Sequence, residues 1–337
     1  MMSEQDSKNR KAWCIVVADD HGPEYVPLVA GAANSSPVQY CGFGEPTTLL
    51  QKALHRAKQI VPTAQIVVTV REENRERWEP ALWFIHPERR FVSHTRTSAS
   101  LTTAAALLSI AADSASNVVT ILPARCYVAH EGVLAAALHQ LCATVPGIPE
   151  RVGTLGMIDI DEGIDEDYLV PRETKIGPGL AVQAMARQPA RWVAQHLRRH
   201  GAMIASGILT GYAGTFAAHI VKQCPKLAKA LSQVTRLAAG GENQFSAEIY
   251  RDAPRSVLRS LRWWPPTFPQ RAFPVYRCGW RGLHTARAVA RISASCPATI
   301  DSVPQRVTEP NFQRISQTTI VRRCVDHGWA DSDQASN

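Results

Sequence analysis

Short unbroken apolar runs alternate with longer amphipathic stretches through the first two thirds of the chain. Trp13-Cys14-Ile15-Val16-Val17 is such a run, and its lack of polar alternation predicts a strand covered on both faces. Leu49, Leu50, Ala53, Leu54, Ala57 and Ile60 then recur at helical spacing, with a threonine cap before them and Pro62 just beyond, which predicts a helix over 47–61. The same reading gives strands at 65–70, 90–93, 117–122, 151–157, 180–186 and 203–209. It gives helices at 73–85, 98–112, 130–144 and 190–200, and one or two more over 216–237. Between these, 158–179 is acidic and then carries Pro and Gly, so it reads as an excursion away from the sheet. Gly240 and Gly241 break the pattern before a last helix over 246–261.

Alternation of this kind implies crossover units, hence an α/β fold with a mostly parallel mixed sheet and helices on both faces. The expected organisation is a polar N-terminal segment over 1–11, one domain over 12–296, and a weakly patterned, partly disordered tail over 297–337.

Composition narrows the class without naming a function. A chain of 337 residues with 45% hydrophobic content can bury a large core. No apolar stretch approaches the roughly 20 residues that cross a bilayer, and 1–11 is too polar for a secretory leader, so a cytoplasmic protein without a membrane partner is expected. The eight cysteines are widely spaced with no C-x-x-C pair, which argues against zinc and against a disulfide framework and predicts buried thiols. The net charge of +8 is compatible with an anionic partner such as a nucleotide, nucleic acid or sugar phosphate.

The loop Val17-Ala18-Asp19-Asp20-His21-Gly22-Pro23-Glu24-Tyr25-Val26-Pro27-Leu28 leaves the first predicted strand, where an α/β protein commonly surrounds phosphates with backbone N–H groups and cations. It carries Asp19, Asp20 and Glu24 instead. This loop nevertheless resembles the first loop of the sugar-1-phosphate nucleotidyltransferases, L-A-G-G-x-G-T-R-L-x-P-L, with Ala18, Gly22, Pro27 and Leu28 matching. Six further fragments follow in the family's order. Pro37-Val38-Gln39-Tyr40 resembles P-K-Q-F, Pro123-Ala124-Arg125-Cys126 resembles P-S-D-H, and Glu166-Asp167-Tyr168-Leu169 resembles Y-G-Y-I. Arg187-Gln188-Pro189 resembles E-K-P, Ile204-Ala205-Ser206-Gly207 resembles W-N-S-G, and Gly279-Trp280-Arg281-Gly282-Leu283-His284-Thr285 resembles G-W-S-D-L-G-T.

The resemblance spans about 13–293 and is nearest to mannose-1-phosphate guanylyltransferases. It implies a GT-A-like, Rossmann-related fold and a nucleotide pocket drawn from Ala18, Asp19, Asp20, Gly22, Gln39, Asp167 and Ala205. In that family the phosphate- and metal-handling jobs belong to the first-loop Arg, the Lys of P-K-Q-F, the Asp of P-S-D-H, the Lys of E-K-P and the Asp of G-W-S-D. Here those positions hold Glu24, Val38, Arg125, Gln188 and Gly282. Neither guanidinium nor glycine offers Mg²⁺ a side-chain oxygen, so no metal or cofactor is expected unless activity survives. The residues retained are mainly those that shape turns or pack.

These replacements point to a catalytically degenerate pseudoenzyme, kept for its shape, that binds a partner such as an active paralogue or a modified ligand. Two alternatives stay open. One is an active enzyme that makes a GDP-sugar from GTP and mannose 1-phosphate with rearranged residues. The other is a polyanion-binding protein using the stripe Arg251, Arg255, Arg259 and Arg262. Nucleic acid is not the expected partner, because that stripe reads as a solvated face over core-packed Trp263 and Trp264. Sign reversals in the pocket also suggest internal ion pairs, such as Glu24 or Asp20 with Arg125. His196 and His200 at i, i+4 read as a solvated helix face, and the acidic run from Asp159 to Asp167 as a solvated loop without Ca²⁺-loop spacing.

Overall fold

The computed structural model describes residues 11–19, 24–25, 36–94, 99–148, 150, 152–158, 166–172, 177–223, 225–226, 228–231, 241–245 and 269–295. In chain order its elements begin β1 (Ala12–Val17), β2 (Glu24–Tyr25), β3 (Ser36–Pro37), α1 (Leu49–Ile60), β4 (Ile66–Arg71), β5 (Arg90–Ser93) and α2 (Ala99–Asp113). They continue with β6 (Val118–Pro123), β7 (Cys126–Val128), α3 (Glu131–Thr144), β8 (Val152–Ile158), β9 (Tyr168–Pro171), β10 (Leu180–Ala186) and α4 (Arg191–Arg199). Then come β11 (Met203–Tyr212), α5 (Ala213–Gln223), β12 (Asn243–Phe245), β13 (Gln270–Tyr276), β14 (Trp280–Gly282) and α6 (Ala286–Ser295).

Ten strands form one sheet in the order β12-β5-β4-β1-β6-β11-β8-β13-β10-β9. From β12 to β6 every pairing is parallel. β11 then runs antiparallel to both β6 and β8, while β13 is parallel to β8. β10 runs antiparallel to both β13 and β9, so the expected mixed sheet is present, but its parallel pairings are confined to the β12–β6 half and to β8–β13 and do not predominate over the antiparallel ones. On β1 the side chains divide by parity: Cys14 and Val16 join one core with Leu50, Leu54 and Leu138, and Trp13 and Ile15 join another with Leu107, Phe216 and Ile220. Helices α1 and α3 thus cover one face and α2 and α5 the other, which explains why the β1 sequence shows no polar alternation.

Local chemistry accounts for several boundaries. Thr48 caps α1, its Oγ1 accepting from Gln51 N at 3.2 Å while Gln51 Oε1 accepts from Thr48 N at 2.8 Å. The helix expected over 73–85 is broken: a 3₁₀ turn at Glu72–Asn74, a single α-turn at Arg75–Trp78 and another 3₁₀ turn at Glu79–Leu82 replace it. Pro80 accounts for the end of the α-turn, since it lacks the N–H that would continue the helical hydrogen-bond ladder. The excursion expected over 158–179 returns to the sheet earlier than predicted, because β9 pairs with both β10 and β11. The predicted helix over 246–261, with its arginine stripe and Trp263 and Trp264, and the tail over 297–337 lie outside the described residues.

At the edge, Glu242 accepts from Arg75 Nη2 at 2.6 Å and from Arg90 Nη1 at 3.3 Å, tying β12 to the broken-helix segment. Opposite, the buried Arg56 makes a bidentate contact with Glu131, at 2.8 and 2.7 Å, that joins α1 to the start of α3.

Two glycines give a differential stability test. Gly279 has φ +64°, and a Cβ there would lie 2.5 Å from the Ala129 Cβ, whereas Gly201 has φ +83° with open space around it. Gly279→Ala is expected to cost about 2–4 kcal/mol from combined backbone strain and overpacking, and Gly201→Ala about 1 kcal/mol from strain alone. Urea denaturation of the two variants checks the order and the gap.

Candidate functional site

β1 is the point at which the sheet reverses direction of growth: the chain lays β4 and β5 on one side of it and β6 on the other. Such a switch leaves a crevice at the carboxyl ends of the parallel strands. Three groups of side chains gather there or beside it.

The first group sits at the end of β1. Ala18 N donates to Thr69 O at 2.9 Å, and Ala124 N donates to Val17 O at 2.9 Å, so β1, β4 and β6 end together. Gln39 Nε2 donates to Ala18 O at 3.0 Å and the Tyr40 hydroxyl to the same oxygen at 3.4 Å. The buried Asp19 carboxylate accepts from Thr69 Oγ1 at 2.7 Å through one oxygen and from Thr102 Oγ1 through the other. Burial, and then the Asp19 charge, push the Tyr40 hydroxyl well above its ordinary range, which places both in one polar cluster. The expected association of Ala18, Asp19 and Gln39 is therefore present. Asp20 and Gly22 lie outside the described residues, as does the Glu24 side chain, so the suggested ion pairs of Arg125 with Asp20 or Glu24 lie there too.

Val38, at the lysine position of the resembled family, is fully buried among Cys41, Leu49, Leu283 and Val289. An ammonium at that place would lack the water or partner it needs. The site therefore has an apolar wall.

The second group stands at the end of β6. Leu283 N donates to Arg125 O at 3.2 Å, and Cys126 on β7 is paired with Gly282 on β14. Arg125 and Gly282, which hold the two positions where the resembled family carries metal-binding acids, are thus neighbours. Arg125 is 8% exposed, and its Nη2 lies 2.9 Å from His284 Nδ1. Since a guanidinium can only donate, Nδ1 accepts and the imidazole proton is on Nε2. Gly282 N donates to Glu166 Oε1 at 3.1 Å. A Cβ at position 282 would meet His284 Nε2 at 2.5 Å and Glu166 Oε2 at 2.8 Å, so those two side chains fill the space that a residue larger than glycine would need.

Glu166 corrects the reading of the acidic run as a solvated loop: it is 5% exposed and buried against β14. Glu166 and His284 were also absent from the expected pocket. One signal was available, since Gly282-Leu283-His284 stands where the family has D-L-G: a large residue became glycine as a glycine two positions on became large.

The third group joins β9, β10 and β11. Ala205 N donates to Asp167 O at 2.8 Å, and Gln188 N donates to Asp167 Oδ1 at 3.1 Å. The expected neighbours Asp167 and Ala205 are brought together, and Gln188 joins them in a left-handed conformation with φ 36°. Non-glycine residues hold such backbone only where surroundings impose it. On β11 the register shifts between Ala205 and Leu209, and Ser206 Oγ donates to Leu155 O at 2.7 Å and accepts from Ile208 N at 3.1 Å. Gly207, at φ +75°, supplies the kink against Pro123 of β6.

Elsewhere, a hollow of about 400 Å³ opens between the end of β8 and α4, lined by Arg198 and Arg199 among others, and none of the sequence-predicted site residues line it. The His196 and His200 rings lie 4.2 Å apart on an exposed face, and no cluster of three or more potential metal ligands occurs among the described residues. No helix there is long and apolar enough to cross a membrane.

A scan against protein-family models finds no match, and no curated protein matches the chain. Solved structures do. A structure titled mannose-1-phosphate geranyltransferase, from Thermus thermophilus, is similar with a TM-score of 0.64 and 20% identity, over 85% of this chain and 80% of that one. Mannose-6-phosphate isomerase from Helicobacter pylori is similar with a TM-score of 0.57 and 12% identity, over 80% of this chain and 99% of that one. The chain has the GT-A-like, Rossmann-related nucleotidyltransferase fold, as its sequence motifs implied.

Electrostatics gives the site a pH signature. Desolvation by the surrounding protein, and then the Arg125 guanidinium, push the His284 imidazole down to about 3, although the residue as a whole is exposed. The folded chain thus keeps this imidazole neutral while the unfolded chain protonates it below its ordinary 6.5. Stability is present above that pH and is lost as pH falls through the window toward 3. His219 contributes in the same direction, through burial and then Lys222. Glu72 and Glu242, whose carboxyls are lowered from 4.5, act only below that value. In chemical denaturation between about pH 6.5 and 5, His284→Gln is therefore expected to flatten the acid loss of stability by more than His219→Gln does.

Asp19→Ala leaves the Thr69 and Thr102 hydroxyls without their acceptor and is expected to cost about 2 kcal/mol. Thr102→Val in the same background should recover part of that loss, measured by urea denaturation.

Proposed function

We propose that this chain is a catalytically degenerate relative of the sugar-1-phosphate nucleotidyltransferases that binds a nucleotide or sugar phosphate and has a regulatory role, without transferring a nucleotidyl group. The observation that carries this reading is the meeting of Arg125 and Gly282. Two positions far apart in sequence, each implied by resemblance to hold a metal-binding acid, lie side by side and offer no side-chain oxygen between them. Their convergence supports the alignment of motifs, and their identities argue against the inherited chemistry.

The transfer such enzymes perform depends on neutralising phosphate charge with a divalent metal and with lysine or arginine. A divalent cation about 4 Å from the Arg125 guanidinium would be repelled by roughly 8 kcal/mol at an effective dielectric near 20, twice the value for two unit charges. Asp19 does not compensate, because both of its oxygens already accept hydroxyl hydrogen bonds. Glu166, whose Oε1 accepts from Gly282 N, is the carboxylate beside this pair, so the place presents one acid and a guanidinium where the resemblance implies two acids.

The retained features are those of a binding crevice. Ala18, Asp19 and Gln39 meet at the switch point, and the Ser206–Gly207 bulge lies against Pro123. Mannose 1-phosphate, part of the name of the Thermus thermophilus protein, is the sugar phosphate to try. Incubation with GTP, mannose 1-phosphate and Mg²⁺ is expected to release no pyrophosphate above the protein-free blank. Steady release at ordinary enzymatic turnover, on the order of 1 s⁻¹ or faster, would favour the active GDP-sugar enzyme instead.

A further inference from the structure

We propose that the hollow between the end of β8 and α4 is a second binding site, which takes a small organic phosphate monoester with an apolar body and holds the phosphate against Arg199. This goes beyond the reading of the crevice and does not depend on it. On β11, Ile204 lines the hollow, while the next residue, Ala205, alternates to the other face and joins a separate core cluster.

The hollow holds about 400 Å³, within the roughly 300–1,000 Å³ of pockets that enclose small ligands. Its base is apolar: Met157 and Ile204 are cross-strand neighbours on β8 and β11, with Ile158 and Ala202 beside them. Its polar side comes from one helix, since Gln195, Arg198 and Arg199 all stand on α4. No carboxylate is among the described residues that line it. A cationic ligand would find no acid there, whereas an anion with an apolar body meets guanidinium on one side and hydrocarbon on the other.

The chain turns sharply to build this arrangement. Gly201 N donates to Arg198 O and Ala202 N donates to Leu197 O, each at 3.0 Å, which closes α4 with a paired-turn cap. Gly201 takes the left-handed backbone, φ +83°, that such a cap requires. The charged wall thus leads into the apolar base with only His200 and Gly201 between Arg199 and Ala202. Basic residues in a last turn often serve only the helix dipole. Here they stand over an apolar base that such a role does not need.

Arg199 is the residue that carries the charge. It is exposed, and its side chain has no partner among the described residues, so its donors are open to a ligand. A phosphate monoester bears about −1.5 to −2 charges at pH 7, against one for a carboxylate, so the same guanidinium attracts it nearly twice as strongly. Phosphate oxygens also match the planar fork of the guanidinium.

Thermal melting of the full chain at constant ionic strength tests this with phenyl phosphate, inorganic phosphate, benzoate and benzyl alcohol. Phenyl phosphate is expected to raise the midpoint as its concentration rises, with an apparent affinity about threefold or more above those of inorganic phosphate and benzoate. Benzyl alcohol should give no shift. Arg199→Gln is expected to weaken phenyl phosphate binding about fivefold, and Arg199→Glu to abolish it. Melting of the unliganded variants checks that each folds. Lys222→Glu, on α5 at the opposite face, makes the same change in net charge and should leave binding unchanged.

The absence of a phenyl phosphate shift overturns the proposal. So does an equal shift from inorganic phosphate, which would remove the role of the apolar base, or a larger one from benzoate, which would reverse the choice of anion. A shift that persists in Arg199→Glu, or that is lost equally in Lys222→Glu, places the binding elsewhere and overturns it as well.

Discussion

Parallel pairing of β1 with β4 on one side and β6 on the other is the constraint from which the rest of this structure follows. Parallel neighbours cannot be joined by a tight turn, so each step away from β1 requires a crossover, and the crossovers place α1 and α3 on one face and α2 and α5 on the other. With both faces covered, Cys14 and Val16 serve one core while Trp13 and Ile15 serve the second. Growth in both directions from β1 opens the crevice at its carboxyl end. Asp19, Gln39 and Arg125 are there because the sheet has nowhere else to put the loops that carry them.

How far the sequence disclosed this depends on the distance over which each feature is determined. Helix α1 was legible because Thr48, Gln51 and the apolar spacing act within a few residues. The interruption at Pro80 was also local and visible, yet the apolar residues around it outweighed it in the reading. Strands β7, β12 and β14 are three residues each and are held by partners distant in sequence, so no period within them announces a strand. Within the site, Ala18, Gln39, Asp167 and Ala205 were found through motif order. Glu166 was missed because burial of an acid depends on what folds over it, and Gly282 N, 116 residues away, is what does so.

The chemistry of the crevice is that of exchanged charges. An acid, Asp19, is buried where backbone would be expected to approach phosphate, and it is stabilised by two threonine hydroxyls from β4 and α2. A base, Arg125, stands where acids are implied, steadied by a neutral imidazole. Both of these buried charges have partners, as a charge taken out of water requires.

The space beside Gly282 is filled by His284 and Glu166. A change of Gly282 to any larger residue would thrust its Cβ against His284 Nε2, and moving that ring means giving up its contact with Arg125. Positions 125, 282 and 284 therefore constrain one another, and a change at any one is felt by the other two. The glycine is small, but it works as a keystone: the placement of His284 and Glu166 depends on the side chain it lacks.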